Sequence, residues 1–164
     1  FFGTFLTMKT AAPYMRMQGF GKILAVSSVA GEIAIPFQAF YSASKAALGK
    51  LLEAFAAEVF PFGIRCALIT PGDTATPFTD VRNKSNIGDD VYHGRISKSI
   101  SKMECDERHG IPAKRLGTFI ASLADKKRIS FFYPYNASYA VLVGLYRLLP
   151  RSLALFIVRK LYAS

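Results

Sequence analysis

The sequence has few of the residues that build disulfide scaffolds or metal centres. Its 164 residues contain no tryptophan, two histidines and two cysteines, Cys66 and Cys105. Two cysteines outside any Cys-x-x-Cys pair cannot form a disulfide framework or a zinc site, and the histidines also lack metal-ligand spacing. We therefore expect no metal and a reducing, intracellular environment.

Acidic residues become scarce in the second part of the chain. Asp125 is the only acid from Ile111 onward, against nine basic residues, so this segment has a net charge of +8 out of the total of +10. Such a segment suits nucleic acid, an anionic membrane or plain solubility. No interleaved aromatic and basic motif of the RNA-binding kind accompanies it, so nucleic acid is the poorest of these explanations.

Apolar runs long enough to span a bilayer are also lacking. The most apolar stretch, residues 137–162, is broken by Pro150 and four basic residues, and its spacing predicts two short helices that flank Pro150. These helices can complete a core, form the wall of an apolar pocket or lie on an anionic membrane. We expect a cytoplasmic protein, with peripheral membrane contact as the alternative.

The apolar residues that are present suffice for one folded domain, since 51% of the positions are hydrophobic and 20% are charged. The first six residues, Phe-Phe-Gly-Thr-Phe-Leu, lack a Met start and a signal-peptide pattern. They are typical of the middle of a helix. We therefore expect part of the domain to precede them.

The middle of the chain predicts a strand, a helix and a second strand. Residues 22–28 and 64–70 are short apolar runs bounded by turn residues, as in parallel strands that are buried on both faces. Residues 41–60 contain no proline and are rich in Ala, Leu, Glu and Lys, which favour a helix. A helix over residues 2–17, interrupted near Pro13, precedes this βαβ unit.

Ligands of open α/β sheets bind beyond the carboxyl ends of the strands. Ser28 and Pro71 stand at the ends of the two predicted strands, so both should border one site. The polar segment 73–110, with a helix near residues 91–103, is long enough to form a lid over that site. A helix over residues 112–125 and a strand over residues 129–135 are predicted to follow.

Tyr41 and Lys45 are four residues apart, which places a phenol and an ammonium on one face of the predicted helix. A neighbouring cation favours the phenolate form of a tyrosine, so the pair suits general acid and base catalysis. An ordinary exposed helix can carry the same pair. The context favours chemistry, because Ser28 ends a buried strand thirteen residues before Tyr41 and Gly31 permits the turn that follows.

Together these features resemble the short-chain dehydrogenase/reductase family. Its pattern is a strand ending in Ser-x-x-Gly, a Tyr-x-x-x-Lys helix at this spacing, and Pro-Gly-x-x-x-Thr after the next strand. The resemblance extends over residues 1 to about 80. It implies an α/β fold, a Rossmann-like doubly wound parallel sheet, present here as its C-terminal half. Residues 1–164 would then be a partial dinucleotide-binding and catalytic domain, with hydrophobic, basic helices over residues 136–164.

The resemblance also implies a role for each motif residue. Ser28 would bind the substrate oxygen, and Tyr41 would exchange a proton with it. Tyr41 and Lys45 would contact the cofactor, NADP or NAD, with Lys45 on the nicotinamide ribose. The residues that would line the nicotinamide and its carboxamide are Pro71, Gly72, Thr74 and Thr76. Ordinary turn chemistry is the other explanation for both threonines.

Two features of the family are missing from the sequence. The family's helix-borne Asn would fall one residue before Phe1, and none of the twelve glycines reproduces the Gly-rich turn that binds the cofactor pyrophosphate. We therefore expect the chain to be a fragment or a truncated product.

The function expected from this resemblance is hydride transfer between nicotinamide and a carbonyl or secondary alcohol. The hydrophobic tail is similar to that of reductases acting on steroids, retinoids and acyl ketones, which favours a lipophilic substrate. The resemblance also implies a homodimer through the helix over residues 41–60. The alternatives are a noncatalytic relative that kept the fold and a membrane-surface module. Nucleic acid is not an expected partner.

Overall fold

The computed structural model describes residues 1–162. Along these residues the helices and strands follow in this order: α1 (Phe2–Gln18), β1 (Gly21–Val26), α2 (Ala39–Val59), β2 (Ile64–Thr70), β3 (Thr74–Ala75), α3 (Phe78–Val81), α4 (Arg95–Arg108), β4 (Ile111–Pro112), α5 (Ala113–Asp125), β5 (Phe132–Pro134), α6 (Ala137–Leu148) and α7 (Arg151–Tyr162). Among the described residues, no helix is both long and apolar enough to cross a membrane.

A three-stranded parallel sheet in the order β1-β2-β5 forms the centre of the fold. The ladder between β1 and β2 runs from Gly21 opposite Ile64 to Val26 opposite Ile69. Because both strands run in the same direction, their carboxyl ends meet at one edge of the sheet. The predicted βαβ unit is therefore confirmed.

Helices cover both faces of this sheet. Ile23 packs with Met8 of α1 and Leu52 of α2 in one hydrophobic cluster. Lys22, the preceding residue of β1, donates a hydrogen bond to the carbonyl of Ala124 at the end of α5. Since successive residues of a strand point to opposite faces, α1 and α2 lie on one side and α5 lies on the other. This arrangement is that of a doubly wound sheet.

The interruption predicted near Pro13 does not occur, because α1 runs through it from Phe2 to Gln18. Pro13 lies on the exposed side of α1, while Met8 and Ala12 are buried. The proline removes one backbone hydrogen bond from the helix. Tertiary packing of the buried residues offsets that loss and keeps the helix continuous.

The predicted helix near residues 91–103 is displaced, since α4 begins at Arg95 and ends at Arg108. Its first turn is capped from a distance: the Asp89 carboxylate accepts hydrogen bonds from the amides of Ile96 and Ser97 at 2.9 and 3.1 Å. Gly94, with φ of 79°, makes the left-handed bend before the helix. The residues between Asp89 and Arg95 therefore form turns.

Two further differences concern the strands. The predicted strand over residues 129–135 is reduced to the three residues of β5, which pair only with Leu68, Ile69 and Thr70 of β2. A second, two-stranded parallel sheet joins β3 to β4 and was not predicted. The pairing of β3 with β4 joins the start of the polar segment 73–110 to the residues directly after its end.

Candidate active site

Ser28 lies immediately beyond β1, in extended conformation with φ of −162° and ψ of 156°. Its hydroxyl oxygen accepts a hydrogen bond from the amide of Ala30 at 3.1 Å and so caps the short 3-10 turn that follows. A hydroxyl that accepts through its oxygen keeps its own proton to donate. Ser28 can therefore donate a hydrogen bond to a ligand oxygen.

Both neighbours of Ser28 are fixed to the rest of the fold. The amide of Ser27 donates to the carbonyl of Ile69 at 2.8 Å, and the amide of Val29 donates to the carbonyl of Pro71 at 3.0 Å. These bonds tie the end of β1 to the end of β2. The position of Ser28 is thus set by the sheet edge rather than by a free loop.

The turn after β1 packs closely against the helical turn of α2 that contains Lys45. Ser27 is buried, and its hydroxyl donates to the carbonyl of Lys45 at 3.1 Å. A Cβ atom at Gly31 would stand 2.9 Å from the Lys45 carbonyl carbon. Glycine is required at this position, because any side chain would push the turn away from α2.

Tyr41 lies one helical turn before Lys45. The Lys45 Nζ atom is 5.8 Å from the centroid of the Tyr41 ring and donates to the carbonyl of Val26 at 3.2 Å. Burial lowers the pKa of Lys45. Tyr41 itself is 44% exposed, so its phenol is open to a ligand. The structure therefore brings Ser28, Tyr41 and Lys45 to one corner at the carboxyl edge of the sheet.

Ser42 is a structural element of this corner that the sequence did not indicate. Its side chain is buried, and its hydroxyl oxygen accepts a hydrogen bond from the amide of Ile35 at 3.2 Å. This bond holds the far end of the segment between Ser28 and α2. Ser42 is part of the Tyr-x-x-x-Lys pattern, yet a serine inside a helix gives no sequence signal for such a contact.

The loop after β2 contains the other predicted site residues. Pro71 is buried and joins the corner through its bond to Val29. The Thr74 hydroxyl donates to the carbonyl of Gly72 at 3.1 Å, which closes the turn, and Thr76 is exposed. The Thr74 bond is the turn chemistry that the sequence left open as an alternative.

Tyr139 of α6 holds the same loop and was not indicated by the sequence. Its hydroxyl donates to the Asp73 carboxylate at 3.0 Å and accepts from the Asp73 amide at 3.3 Å. Its ring covers Gly72, where a Cβ atom would come within 2.0 Å of the ring. Burial raises the pKa of Asp73 and that of Tyr139. The two residues are 66 positions apart in sequence, so no local pattern could have joined them.

Comparison with known proteins identifies the family. Residues 1–87 match the model of the short chain dehydrogenase family. The chain belongs to the short-chain dehydrogenase family. It is 41% identical over 133 residues to a 3-ketodihydrosphingosine reductase of Bacteroides thetaiotaomicron. The aligned region covers 80% of this chain and 49% of that reductase.

The chain is also similar to two other oxidoreductases. An uncharacterized oxidoreductase of Bacillus subtilis is 33% identical over 132 residues, covering 78% of this chain and 47% of the relative. The human 17-beta-hydroxysteroid dehydrogenase type 1 is 37% identical over 78 residues, covering 48% of this chain and 24% of the relative. The chain spans about half the length of the reductase from Bacteroides thetaiotaomicron and about half that of the oxidoreductase from Bacillus subtilis.

Solved structures confirm the Rossmann-like fold. A short chain dehydrogenase/reductase of Burkholderia phymatum in complex with NAD superposes with a TM-score of 0.70 at 22% identity, covering 86% of this chain and 52% of that one. A short chain dehydrogenase of Burkholderia cenocepacia in complex with NADP gives 0.65 at 21% identity, covering 93% and 53%. The predicted α/β class and parallel sheet are thus correct.

The contact between Gly72 and the Tyr139 ring yields a test of the loop's packing. We expect Gly72→Ala to lower the free energy of unfolding by about 1–3 kcal/mol, the usual effect of overpacking, because the new methyl group collides with the ring. Gly117→Ala is the matched control, since Gly117 is exposed in α5 with no atom near its Cβ position. The control should be neutral or stabilising. Urea unfolding of both variants measures the difference, and equal stabilities would contradict the contact.

Proposed function

We propose that the protein containing this chain is an NAD(P)-dependent oxidoreductase that transfers a hydride between nicotinamide and a carbonyl or secondary alcohol. The observation that carries this proposal is the corner formed by Ser28, Tyr41 and Lys45, in which the ammonium lies 5.8 Å from the phenol ring. Family membership and the oxidoreductase names of several relatives support it. The cofactor is NADP or NAD, as in the solved structures of the family.

The residues of this corner fit the nicotinamide end of such a cofactor. An ammonium has three donors, and the bond from Lys45 to Val26 uses one of them, so donors remain for the ribose hydroxyls. The loop from Pro71 to Thr76 would line the nicotinamide and its carboxamide. When bound, the nicotinamide supplies or accepts the hydride at the substrate carbon.

The side chains of this chain would handle the proton. In the reducing direction, Tyr41 gives its hydroxyl proton to the substrate oxygen while Ser28 donates a hydrogen bond to the same oxygen. The positive charge of Lys45 stabilises the phenolate that remains. In the oxidising direction the phenolate takes the proton from the alcohol, and the other contacts are unchanged.

We further propose that residues 1–164 form part of a dinucleotide-binding and catalytic domain, with segment 73–110 as a lid. The support is the way this segment is folded back on itself. Glu107 of α4 accepts from the Thr79 hydroxyl at 2.7 Å and pairs with Arg82 at 2.5 Å, which joins α4 to α3 and the residue that follows it. The pairing of β3 with β4 anchors both ends of the segment beside Pro71 and Gly72.

A lipophilic substrate is the class that we propose. Two relatives have names that refer to a long-chain ketone and to a steroid. The C-terminal helices also expose large apolar side chains, among them Leu145 at 56% and Phe156 at 47%. Exposed apolar side chains of this size suit a lipid better than a sugar.

A homodimer through α2 is the proposed assembly. Ala43, Ala47 and Ala54 are exposed and lie along one stripe of α2, which also contains Lys50, a residue that pairs with Glu53. Small side chains permit two helices to approach closely, and Phe40, which is 94% exposed, adds apolar area at the start of the helix.

The stripe of alanines supplies the test of this dimer. Ala54→Arg should shift the full-length protein from dimer to monomer at about 10 μM, where a complex of micromolar Kd is populated, because the long charged side chain blocks close packing. Ala121→Arg, at an exposed position of α5, is the control and should leave the dimer intact. Light scattering measures the mass. A monomeric unmodified protein would contradict the proposal.

Attachment to a membrane surface is the second candidate function. The observation that favours it is the composition of the exposed surface of α6 and α7, which includes the apolar Leu145 and Phe156 and the basic Arg151 and Lys160, with no acid in either helix. A helix that combines apolar and basic residues binds anionic lipid surfaces.

Vesicle binding tests the membrane proposal. The full-length protein should sediment with phosphatidylserine vesicles and less with phosphatidylcholine vesicles. The double change Leu145→Asp and Phe156→Asp should reduce binding at least about tenfold, since two apolar side chains no longer enter the lipid. Val81→Asp with Ile87→Asp removes two exposed apolar residues elsewhere and should bind normally. An equal loss in both double variants would count against α6 and α7 as the contact surface.

The catalytic proposal is tested by Tyr41→Phe in the full-length enzyme. The change keeps the ring but removes the proton donor, so turnover should fall by about two to four powers of ten while cofactor affinity barely changes. Lys45→Met should weaken cofactor binding and move the rate profile to higher pH, because the phenolate loses its cation. Ser28→Ala should lower turnover without moving the profile.

Steady-state kinetics from pH 6 to 10, with folding checked by circular dichroism, separate these outcomes. Tyr14→Phe is the control, because Tyr14 is exposed on α1, away from the corner. If Tyr41→Phe keeps near-normal turnover, the acid/base assignment is wrong and the noncatalytic alternative is favoured.

A further inference from the structure

Helix α6 contacts both of the segments that bear the candidate site residues. At its start, Tyr139 bonds Asp73, directly after Pro71 and Gly72. Near its end, Arg147 donates to the Glu32 carboxylate at 2.6 Å, and Glu32 directly follows the turn capped by Ser28. The two site segments come from different strands, and one helix holds both.

The positions of these contacts along α6 are compatible with one rigid support. Tyr139 and Arg147 are eight residues apart, which is about 12 Å along a helix. They flank Val143, which is 2% exposed and packs against Ile33. All three side chains thus lie on the inward side of α6, and Val143 fixes the helix against the segment that contains Glu32.

Arg147 is further constrained by its surroundings. Its guanidinium carbon lies 5.0 Å from the centroid of the Phe132 ring in β5, and it pairs with Glu32, whose side chain is 20% exposed while that of Arg147 is 57% exposed. Contact with both a ring and a carboxylate restricts the guanidinium more than either contact alone. The ion pair can therefore hold Glu32, and the turn before it, against α6.

The hydroxyl of Tyr139 stabilises the Asp73 carboxylate in an unfavourable environment. Two more carboxylates, those of Asp106 and Glu107, act on Asp73 and raise its pKa in addition to the effect of burial, whereas the hydrogen bond from Tyr139 opposes that rise. Without this hydroxyl, a half-buried carboxylate would lose its side-chain donor beside two like charges and keep only a backbone hydrogen bond. The loop that contains Gly72 and Thr74 would then shift toward solvent.

We propose that Tyr139 and Arg147 are positioning residues, which set the loop after β2 and the turn after β1 in the correct relation for catalysis. The inference rests on the proposed function, because it assigns the first segment to the cofactor and the second to the substrate oxygen. Tyr139 controls the cofactor loop. Arg147 controls the turn of Ser28.

The division of roles predicts two different kinetic changes in the full-length enzyme. Tyr139→Phe should weaken NAD(P)H binding by about five- to tenfold and raise its KM, with kcat changed less than about twofold, because the proton donor is untouched. Arg147→Met should lower kcat by about five- to tenfold with the NAD(P)H Kd nearly constant. Titration calorimetry gives the Kd, and steady-state kinetics give kcat and KM.

Matched variants separate positioning from general damage to the fold. Tyr146→Phe on the same helix and Arg151→Met at the start of α7 are the controls and should match the unmodified enzyme. Asp73→Asn keeps an acceptor for Tyr139 and should retain normal cofactor binding, whereas Asp73→Ala should weaken it about as much as Tyr139→Phe does. Tyr139→Phe keeps the ring that covers Gly72 and should therefore fold, as circular dichroism will check.

The outcomes also distinguish this inference from the proposed function. If the unmodified enzyme binds NAD(P)H and turns over but Tyr139→Phe and Arg147→Met match their controls, the positioning roles are wrong and the proposed function stands. The same holds if both variants lower kcat and binding alike. If the unmodified protein does not bind NAD(P)H, both the function and the inference fall.

Discussion

The close contact between the turn after β1 and the Lys45 turn of α2 is the constraint on which the candidate site depends. Gly31 has no space for a side chain, since a Cβ atom would stand 2.9 Å from the Lys45 carbonyl carbon. The Ser27 hydroxyl donates a hydrogen bond to the oxygen of the same Lys45 carbonyl group at 3.1 Å. With the backbones this close, the positions of Tyr41 and Lys45 follow from the position of the turn that contains Ser28. Any shift of α2 along the sheet would move Tyr41 and Lys45 relative to the turn that contains Ser28.

The parallel sheet explains why the second loop reaches the same corner. β1 and β2 pair over their whole common length, so residues 28 and 71 emerge side by side, and Val29 bonds the carbonyl of Pro71 at 3.0 Å. β2 can hold this position because it is the central strand and six of its seven residues are buried. Burial of the central strand is thus what fixes the edge of the sheet, and the edge fixes the loops.

The sequence contained enough information for the βαβ unit and for the corner, because both depend on local patterns. Buried strands, the helix over residues 39–59 and the spacing of Ser28, Tyr41 and Lys45 can all be recognised within short windows. The contacts that were missed are long-range: Tyr139 lies 66 residues from Asp73, and Arg147 lies 115 residues from Glu32. The errors at α4 and α1 had similar causes, since Asp89 caps α4 from outside the helix and packing keeps α1 continuous at Pro13.

Helix α6, in the C-terminal part of the chain, contacts the segments of the candidate site. The family model matches residues 1–87, whereas Tyr139 and Arg147 lie well beyond that range and still bond residues within it. The inward side of α6 holds the two loops, and its outward side exposes Val141, Leu145 and Leu148. The residues that hold the two loops therefore come partly from outside the range that the family model matches.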